Sequence, residues 1–307
     1  MTIEAKIIAD SISEQGVRLT TFQLRYPRFI HAELMTHRVF SRNASSSRAI
    51  PVKKMIEDLR RDPAMPVYWG SNKAGMQAGE ELTGDSLEIV KRYWLHAMDD
   101  AIEFAENLME EGLHKQIANR ILEPWAHINV VVTATDYQNF YTLRRHADAQ
   151  PEIKALADAM WDAQENSMPK LLKHGEWHLP YCSHNDQPDI KTYLKKDRIT
   201  RDESRAEEHL EVLKKISVAR CARVSYLTHD GRPTSVEEDI ALFERLVVAQ
   251  PLHASPAEHQ GTPMYCNGSF HTISGEEMYV YREEHLGGNF NGWIQYRKTL
   301  DGEFIPG

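Results

Sequence analysis

Apolar and polar residues alternate at the start of the chain, and this pattern predicts strands. The alternation over residues 3–12 and 17–26 indicates two strands joined by a turn at Glu14-Gln15-Gly16. Residues 29–35 then read as a short helix. The β-branched run within 127–135 is typical of a buried strand. These segments predict a sheet formed mainly by the first half of the chain.

Apolar residues recur at spacings of three and four over 86–111, which predicts a long amphipathic helix. We expect Asp85 and Glu88 to cap its start and Gly112 to end it. Shorter helices are predicted at 51–61, 152–168 and 235–248, the last with Ser235 and Glu238 as a capping box. The apolar face of the long helix comprises Leu87, Val90, Trp94, Met98, Ala101, Ala105 and Leu108.

Composition narrows the function classes. The 307 residues carry a net charge of -9, which argues against general nucleic-acid binding because a phosphate backbone needs a broad basic surface. No apolar run approaches the roughly 20 residues that span a bilayer. Three cysteines give no disulfide framework, and the first residues lack the apolar core of a signal peptide. We therefore expect a cytoplasmic protein that binds neither membrane nor nucleic acid.

Residues 36–48 are the candidate chemical site. They contain three arginines, five hydroxyl side chains and one histidine, and no acidic residue. Arginine forks and short hydroxyls match phosphate and carboxylate oxygens, so the stretch is suited to a small anionic ligand. A solvated polar turn is the alternative interpretation of the same composition.

A metal site is the weaker hypothesis for this chain. His174, His178, Cys182 and His184 lie close together in the sequence. Their spacings do not match the paired ligand spacings of standard metal-binding motifs. The neighbouring Trp177, Pro180 and Tyr181 favour a packed loop. We expect no metal.

The run 21–48 resembles the flavin-dependent thymidylate synthases. In that family a strand and a helix lead to the motif R-H-R. After seven more residues comes a serine, which belongs to a second motif, N-E-x-S-x-R. His37, Arg38, Asn43, Ser46 and Arg48 occupy matching positions. The sequence departs from the family pattern where Glu33 replaces Gln, Thr36 replaces the first Arg and Ala44 replaces Glu.

A second stretch, 139–153, resembles the family's N-F-x-x-L-R and A-Q-x-E-I. Its matching residues are Asn139, Leu143, Arg144, Ala149, Gln150, Glu152 and Ile153. Residues 112–124 resemble the family's G-x-x-K-E-x-A-R-x-x-L-P with one residue inserted. That likeness makes Arg120 a ligand-facing arginine, although it could simply pair near a helix end.

The family's opening motifs occur late in this chain. Residues 219–226 resemble A-A-R-V-S-Y, and 253–259 resemble H-x-[ST]-P-F-E-H with Ala257 in place of Phe. This order is what a circular permutation would leave. We expect one catalytic domain, with a core of 17–168 and 216–259, a connector at 169–215 and a C-terminal extension at 260–307. The glycines and aromatics of 287–297 could stack on a ring, but covering the sheet edge is the preferred interpretation.

The resemblance implies an α/β (α+β) fold with a central antiparallel sheet and flanking helices. It implies one-carbon transfer from methylenetetrahydrofolate to C5 of dUMP, giving dTMP, with FAD as cofactor, NADPH as reductant and a homotetrameric assembly. None of the three cysteines lies in a motif that would activate a thiolate, so a cysteine nucleophile is poorly supported.

Site residues carry over position by position from the family. Arg144 and Arg48 are the expected catalytic residues. The nucleotide would be bound by Glu33, Ser46, Arg48, Arg120 and Arg144, and FAD by His37, Arg38, Asn139, Ser225, Ser255 and Glu258. Two alternatives stay open because of Glu33, Thr36 and Ala44. One is a pyrimidine nucleotide hydroxymethylase on the same fold, and the other is a flavin- or nucleotide-binding protein without catalysis.

Overall fold

The computed structural model describes residues 3–183, 186–196, 204–224, 234–248 and 252–303. The strands are β1 (Glu4–Ser13), β2 (Arg18–Pro27), β3 (Ser41–Ala44), β4 (His127–Ala134), β5 (Lys170–Leu172), β6 (Gly261–Pro263), β7 (Cys266–His271), β8 (Glu277–Tyr281) and β9 (Trp293–Gln295). The helices are α1 (His31–Met35), α2 (Val52–Arg61), α3 (Gly84–Glu110), α4 (Lys115–Ala118), α5 (Gln138–Arg144), α6 (Pro151–Glu165), α7 (Gln187–Lys196), α8 (Ser204–Ala222) and α9 (Val236–Phe243).

A five-stranded sheet in the order β3-β4-β2-β1-β5 forms the centre of the fold. Four of its strands pair antiparallel, as expected, with Thr21 opposite Thr133 in the β2–β4 ladder. The three-residue edge strand β5 instead runs parallel to β1. The predicted α/β class with a central sheet and flanking helices is confirmed.

The two faces of the sheet differ in chemistry because side chains alternate along each strand. Phe22, Leu24 and Tyr26 of β2 point to one face, where they pack with residues of β4, α5 and α6 in the main apolar core. Thr21 and Thr133 point to the opposite face and are fully buried. That second face is covered by the late segments of the chain, which supply His178 and His259.

Buried side chains on this second face form one continuous hydrogen-bond chain, which we call the buried polar chain. Its links are Ser11 Oγ to His178 Nδ1 (2.8 Å), His178 Nε2 to Thr21 Oγ1 (2.8 Å), Thr21 Oγ1 to Thr133 Oγ1 (2.7 Å), Thr133 Oγ1 to His259 Nδ1 (2.8 Å) and His259 Nε2 to Asn43 (3.1 Å). It joins all four antiparallel strands to two segments from elsewhere in the chain.

Most predicted elements are confirmed, and two details of the prediction are corrected. The long helix α3 begins at Gly84 after Thr83, with no side-chain capping bond, so the cap proposed for Asp85 and Glu88 is wrong. The helix predicted to reach residue 168 ends at Glu165. His178, considered in the metal hypothesis, is instead part of the buried polar chain, and His184 lies outside the described residues.

The predicted capping box of the late helix is confirmed, because Ser235 and Glu238 exchange both bonds at the start of α9. The helix continues through a π-helical turn, Glu244–Val248. Its apolar residues Ile240, Phe243, Leu246 and Val247 are all buried. Near the start of α9, the fully buried Asp239 accepts from Arg220 of α8 and from Arg223, which directly follows α8.

The C-terminal extension covers one end of the sheet. Trp293 is fully buried beside Leu19 and Leu172, and its indole Nε1 donates to Val17 O at 3.1 Å. The preferred interpretation of this segment, as cover for the sheet, agrees with these contacts. Trp293 is therefore not available for stacking on a ligand ring.

Replacing Thr133 by Val should lower the free energy of unfolding. The change leaves the facing groups of Thr21 and His259 without their buried partner, which we expect to cost about 1–3 kcal/mol. Thr133→Ser is the matched control, since it keeps the hydroxyl and loses only one methyl, worth about 1 kcal/mol. Urea unfolding of both variants makes the comparison. A Val variant at least as stable as the Ser variant would show that the hydrogen bonds do not matter.

Acid should destabilise the protein through its buried histidines, among which His178 and His259 have the lowest pKa values. Burial lowers the pKa of His178 and of His259 to about 3, against an ordinary value of about 6.5. Below about pH 6.5 the unfolded chain therefore binds protons that the folded chain does not. Each histidine then removes up to about 1.4 kcal/mol of stability per pH unit until the pH reaches the folded pKa.

We expect a flat stability profile above about pH 6.5 and a steep loss below it, measured by thermal unfolding across pH. His259→Gln should be less stable at neutral pH and show a shallower acid slope. His96→Gln is the control, since His96 is exposed on α3. An acid slope equal to that of the wild type in His259→Gln would contradict the assignment.

Candidate functional site

The turn that follows β3 alternates between buried and open serines. Ser45 and Ser47 are buried, and Ser47 Oγ donates to Glu123 Oε1 at 2.6 Å. Asn119 Nδ2 donates to the carbonyls of Ser47 (2.7 Å) and Ile50 (2.9 Å), and these two hydrogen bonds fix the backbone of the turn. Ser46 and Arg48 are left on the open side of this turn.

These open residues line a cleft of about 530 Å³. Its walls come from three parts of the chain that are far apart in sequence: the β3 turn, the start of α4 and the segment after α9. The lining residues are Asn43, Ser46, Arg48, Ala49, His114, Gln116, Leu246, His253, Ser255 and Pro256. Two stretches singled out in the sequence, 36–48 and 253–259, therefore meet at one site.

The buried polar chain ends at this cleft. In the orientation that satisfies its amide, Asn43 Nδ2 donates to His259 Nε2, Ser255 O and Arg42 O, each at 3.1 Å. Asn43 thus ties β3 to the late segment that carries Ser255. Asn43 is therefore one of the side chains that fix the position of the late segment relative to the β3 turn.

His37 and Arg144 form a second group of predicted site residues. Arg144 Nε donates to His37 Nε2 at 3.0 Å, and its Nη2 donates to Thr36 Oγ1 at 3.2 Å. Burial, together with the charges of Arg144 and Arg42, lowers the pKa of His37 to about 4. The imidazole is therefore neutral at physiological pH and acts as an acceptor for the guanidinium.

The three arginines of 36–48 have different roles. Arg42 Nη1 donates to the carbonyls of Met35 (2.9 Å) and His37 (3.1 Å), so it holds the backbone of the turn. Arg38 is exposed, and Arg48 reaches the cleft. The expectation that the whole stretch faces an anion is therefore corrected for Arg42, whose guanidinium is used internally.

The remaining predicted residues lie outside these two groups or have other partners. Arg120 is exposed and pairs with Glu123 at 2.9 Å, the alternative considered for it. Glu258 pairs with Arg297. Asn139 is exposed on α5, and Ser225 lies outside the described residues. Glu33 has one carboxylate oxygen, Oε2, buried without a hydrogen-bond partner among the described residues.

Sequence reasoning missed four polar residues that line the cleft: Asn43, His114, Gln116 and His253. Asn43 and His253 lie inside the recognised motifs, so the motif windows already contained the signal. His114 caps α4 by accepting from Gln116 N at 3.3 Å, which the sequence does not indicate. Elsewhere, no group of three or more His, Cys, Asp or Glu within the described ranges is placed to hold a metal ion.

The structure thus brings a guanidinium and hydroxyls together at one cleft, and it pairs a neutral histidine, His37, with Arg144. The sequence profile of the thymidylate synthase complementing protein family (Thy1) matches residues 14–170, just over half of the chain. The chain belongs to this family.

Known proteins give two further likenesses. A flavin-dependent thymidylate synthase of Sulfolobus acidocaldarius (strain ATCC 33909 / DSM 639 / JCM 8929 / NBRC 15157 / NCIMB 11770) is 35% identical over 80 residues, which cover 25% of this chain and 31% of that protein. The chain thus aligns with about a third of that relative.

No helix in the described part of the chain is long and apolar enough to cross a membrane.

Crystal structures of a UMP/dUMP methylase, PolB from Streptomyces cacaoi, bound with 5-Br dUMP or with 5-Br UMP, are similar in part. Both superpose with a TM-score of 0.44 and 20% identity over 53% of this chain, covering 90% and 88% of the two solved chains. A TM-score below 0.5 is too low to establish a shared fold.

Removing the guanidinium at Arg144 should raise the pKa of His37. Arg144→Met deletes the cation that lies against the imidazole, and burial with the charge of Arg42 would then hold the pKa below its ordinary value. An NMR titration of the histidine ring protons measures the change. Arg120→Met is the matched control, since Arg120 pairs with Glu123. An unchanged His37 titration in Arg144→Met would show that the pair does not form in solution.

Proposed function

We propose that the protein transfers a one-carbon unit from methylenetetrahydrofolate to C5 of dUMP, giving dTMP, in a reaction that depends on FAD and on NADPH. The observation that carries the proposal is the cleft in which Ser46 and Arg48 meet Ser255, because these residues come from family-like motifs about 200 residues apart. Membership of the thymidylate synthase complementing protein family supports the same reaction class.

The cleft residues suit a phosphorylated ligand. The Arg48 guanidinium offers a planar fork for phosphate oxygens, and the Ser46 and Ser255 hydroxyls add short donors. Leu246 and Pro256 give the same cleft an apolar wall against which a ring could pack. This donor set fits a nucleotide or the pyrophosphate of FAD, which would supply the redox chemistry when bound.

Arg144 is proposed to act on the pyrimidine. Its Nε is held by His37 and its Nη2 by Thr36, which leaves Nη1 to donate to a ring carbonyl. A fixed donor at a position where negative charge develops stabilises the transition state more than the ground state. The neutral His37 serves to orient the guanidinium without adding a competing positive charge.

The other carried-over roles rest on the resemblance and stay proposals: Glu33 and Arg120 toward the nucleotide, and His37, Arg38, Asn139, Ser225 and Glu258 toward FAD. We also propose a circularly permuted single catalytic domain, which the contact of His259 with Thr133 and Asn43 supports. A homotetramer is proposed as well, on the basis of the family resemblance. Exposed apolar residues on α3, including Tyr93 and Phe104, support association.

The defining experiment is to record the visible spectrum of the purified protein and then add dUMP, methylenetetrahydrofolate and NADPH. Bound flavin and a dTMP product, identified by mass, are the expected results. A hydroxymethylated nucleotide would instead support the alternative that Glu33, Thr36 and Ala44 suggest. Flavin without any product would indicate a binding protein, and absence of flavin would overturn the proposal.

Arg48→Met should weaken dUMP binding by about 10- to 100-fold, because a charge-assisted hydrogen bond to a ligand contributes about 1.5–3 kcal/mol. Isothermal titration with dUMP and with FAD measures which ligand depends on this residue. Arg61→Met is the control, since Arg61 is an exposed arginine of α2 that pairs with Asp58. Equal affinities for both ligands in wild type and Arg48→Met would remove Arg48 from the site.

A further inference from the structure

The C-terminal segment 287–297, which we call the clamp segment, lies outside the family match at residues 14–170. It is anchored beside the sheet at two points, just before β2 and just after β4. Trp293 Nε1 donates to Val17 O at 3.1 Å, and the backbone N–H of Asn291 donates to Thr135 Oγ1 at 3.0 Å. These anchors place its remaining polar side chains over the turn between α1 and β3.

Asn289 binds that turn with both ends of its amide. Its Nδ2 donates to Val39 O at 2.6 Å, and its Oδ1 accepts from Ser41 Oγ at 3.1 Å. Val39 and Ser41 flank Phe40 and follow directly after His37 and Arg38. One side chain therefore closes the turn that presents two of the predicted site residues.

Gln295 joins this turn to the late motif. Only 2% of Gln295 is exposed, and its Nε2 lies within 2.7 Å of Asn289 Oδ1, 3.2 Å of Ser41 Oγ and 3.2 Å of Glu258 O. The next polar residue of the clamp segment, Arg297, pairs with the Glu258 carboxylate. The segment thus holds the 37–41 turn and the Ser255–Glu258 helix in one arrangement.

The sequence of the clamp segment is adapted to this contact. Gly288 has φ +61°, and a Cβ at that position would lie 2.5 Å from Gln295 Oε1. Only glycine allows both the left-handed backbone and the close approach of the glutamine. Gly288 therefore contributes to the same contact, because it leaves room for the Gln295 side chain beside Asn289.

We propose that Asn289 and Gln295 are positioning residues for the site: they fix the turn that carries His37 and Arg38, and Gln295 with Arg297 fixes Glu258. The structural half of this proposal stands on the contacts alone. Its consequence for ligand binding rests on the proposed function, in which these residues bind FAD.

Hydrogen–deuterium exchange on the ligand-free protein tests the structural half. Asn289→Asp keeps the shape and the acceptor but replaces the donor to Val39 O by a charged oxygen. Gln295→Glu likewise replaces the Nε2 donor of Gln295 by a charged oxygen. Both should speed exchange in residues 37–42 by about tenfold, since a lost hydrogen bond opens a turn by that order. Asn291→Ala is the matched control, because the exposed Asn291 uses only its backbone N–H here. Unchanged exchange in both variants would overturn the proposal.

FAD titration of the same variants tests the consequence. Asn289→Asp should bind FAD about tenfold more weakly, whereas Ile102→Val should bind it like the wild type. Ile102 is buried in the α2–α3 core, so this second control lowers stability without touching the turn. Equal loss of affinity in Ile102→Val, or none in Asn289→Asp, would overturn the positioning role. If the wild-type protein does not bind FAD, the proposed function is wrong. Hydrogen–deuterium exchange would still decide whether Asn289 and Gln295 hold the turn.

Discussion

The structure depends on the buried polar chain that crosses the central sheet from Ser11 to Asn43. Threonine hydroxyls and imidazoles that are fully removed from water are costly unless each is paired. Here each group has a partner on both sides, at 2.7–3.1 Å. The pairing only exists when the connector delivers His178 and the late segment delivers His259. Docking of those segments is therefore a requirement of the sheet, and their position on it is unique.

The chain of bonds also has a direction. If Asn43 donates to His259 Nε2, then His259 must donate from Nδ1 to Thr133, Thr133 to Thr21, and Thr21 to His178 Nε2. Each threonine hydroxyl and each imidazole then donates once within the chain of bonds, and both imidazoles carry their proton on Nδ1. A second proton on either ring would face another donor. This conflict adds to burial as a reason for the low pKa of both histidines.

Much of the fold could be predicted from the sequence, since the strands and helices follow local periodicity that tertiary packing did not override. The family-like motifs also led to Ser46, Arg48 and Ser255, three of the residues that line the cleft. The parallel edge strand β5 could not be predicted, because three residues carry no periodic signal. The use of Arg42 on the backbone, the pairing of Arg120 with Glu123 and the role of His178 depend on contacts between residues distant in sequence, which no local pattern encodes.

Acidic proteins that bind anions must separate their few accessible cations from their many carboxylates. In this chain Arg48 stands in the cleft on a turn that Asn119 and Ser47 hold from below, while Glu123 is occupied by Ser47 and Arg120. Glu258, the carboxylate next to the cleft in sequence, is paired by Arg297. The C-terminal segment therefore does more than cover the sheet: it supplies the cation that neutralises an acid close to the proposed site. A chain lacking that segment would leave Glu258 without its ion-pair partner beside the proposed anionic ligand.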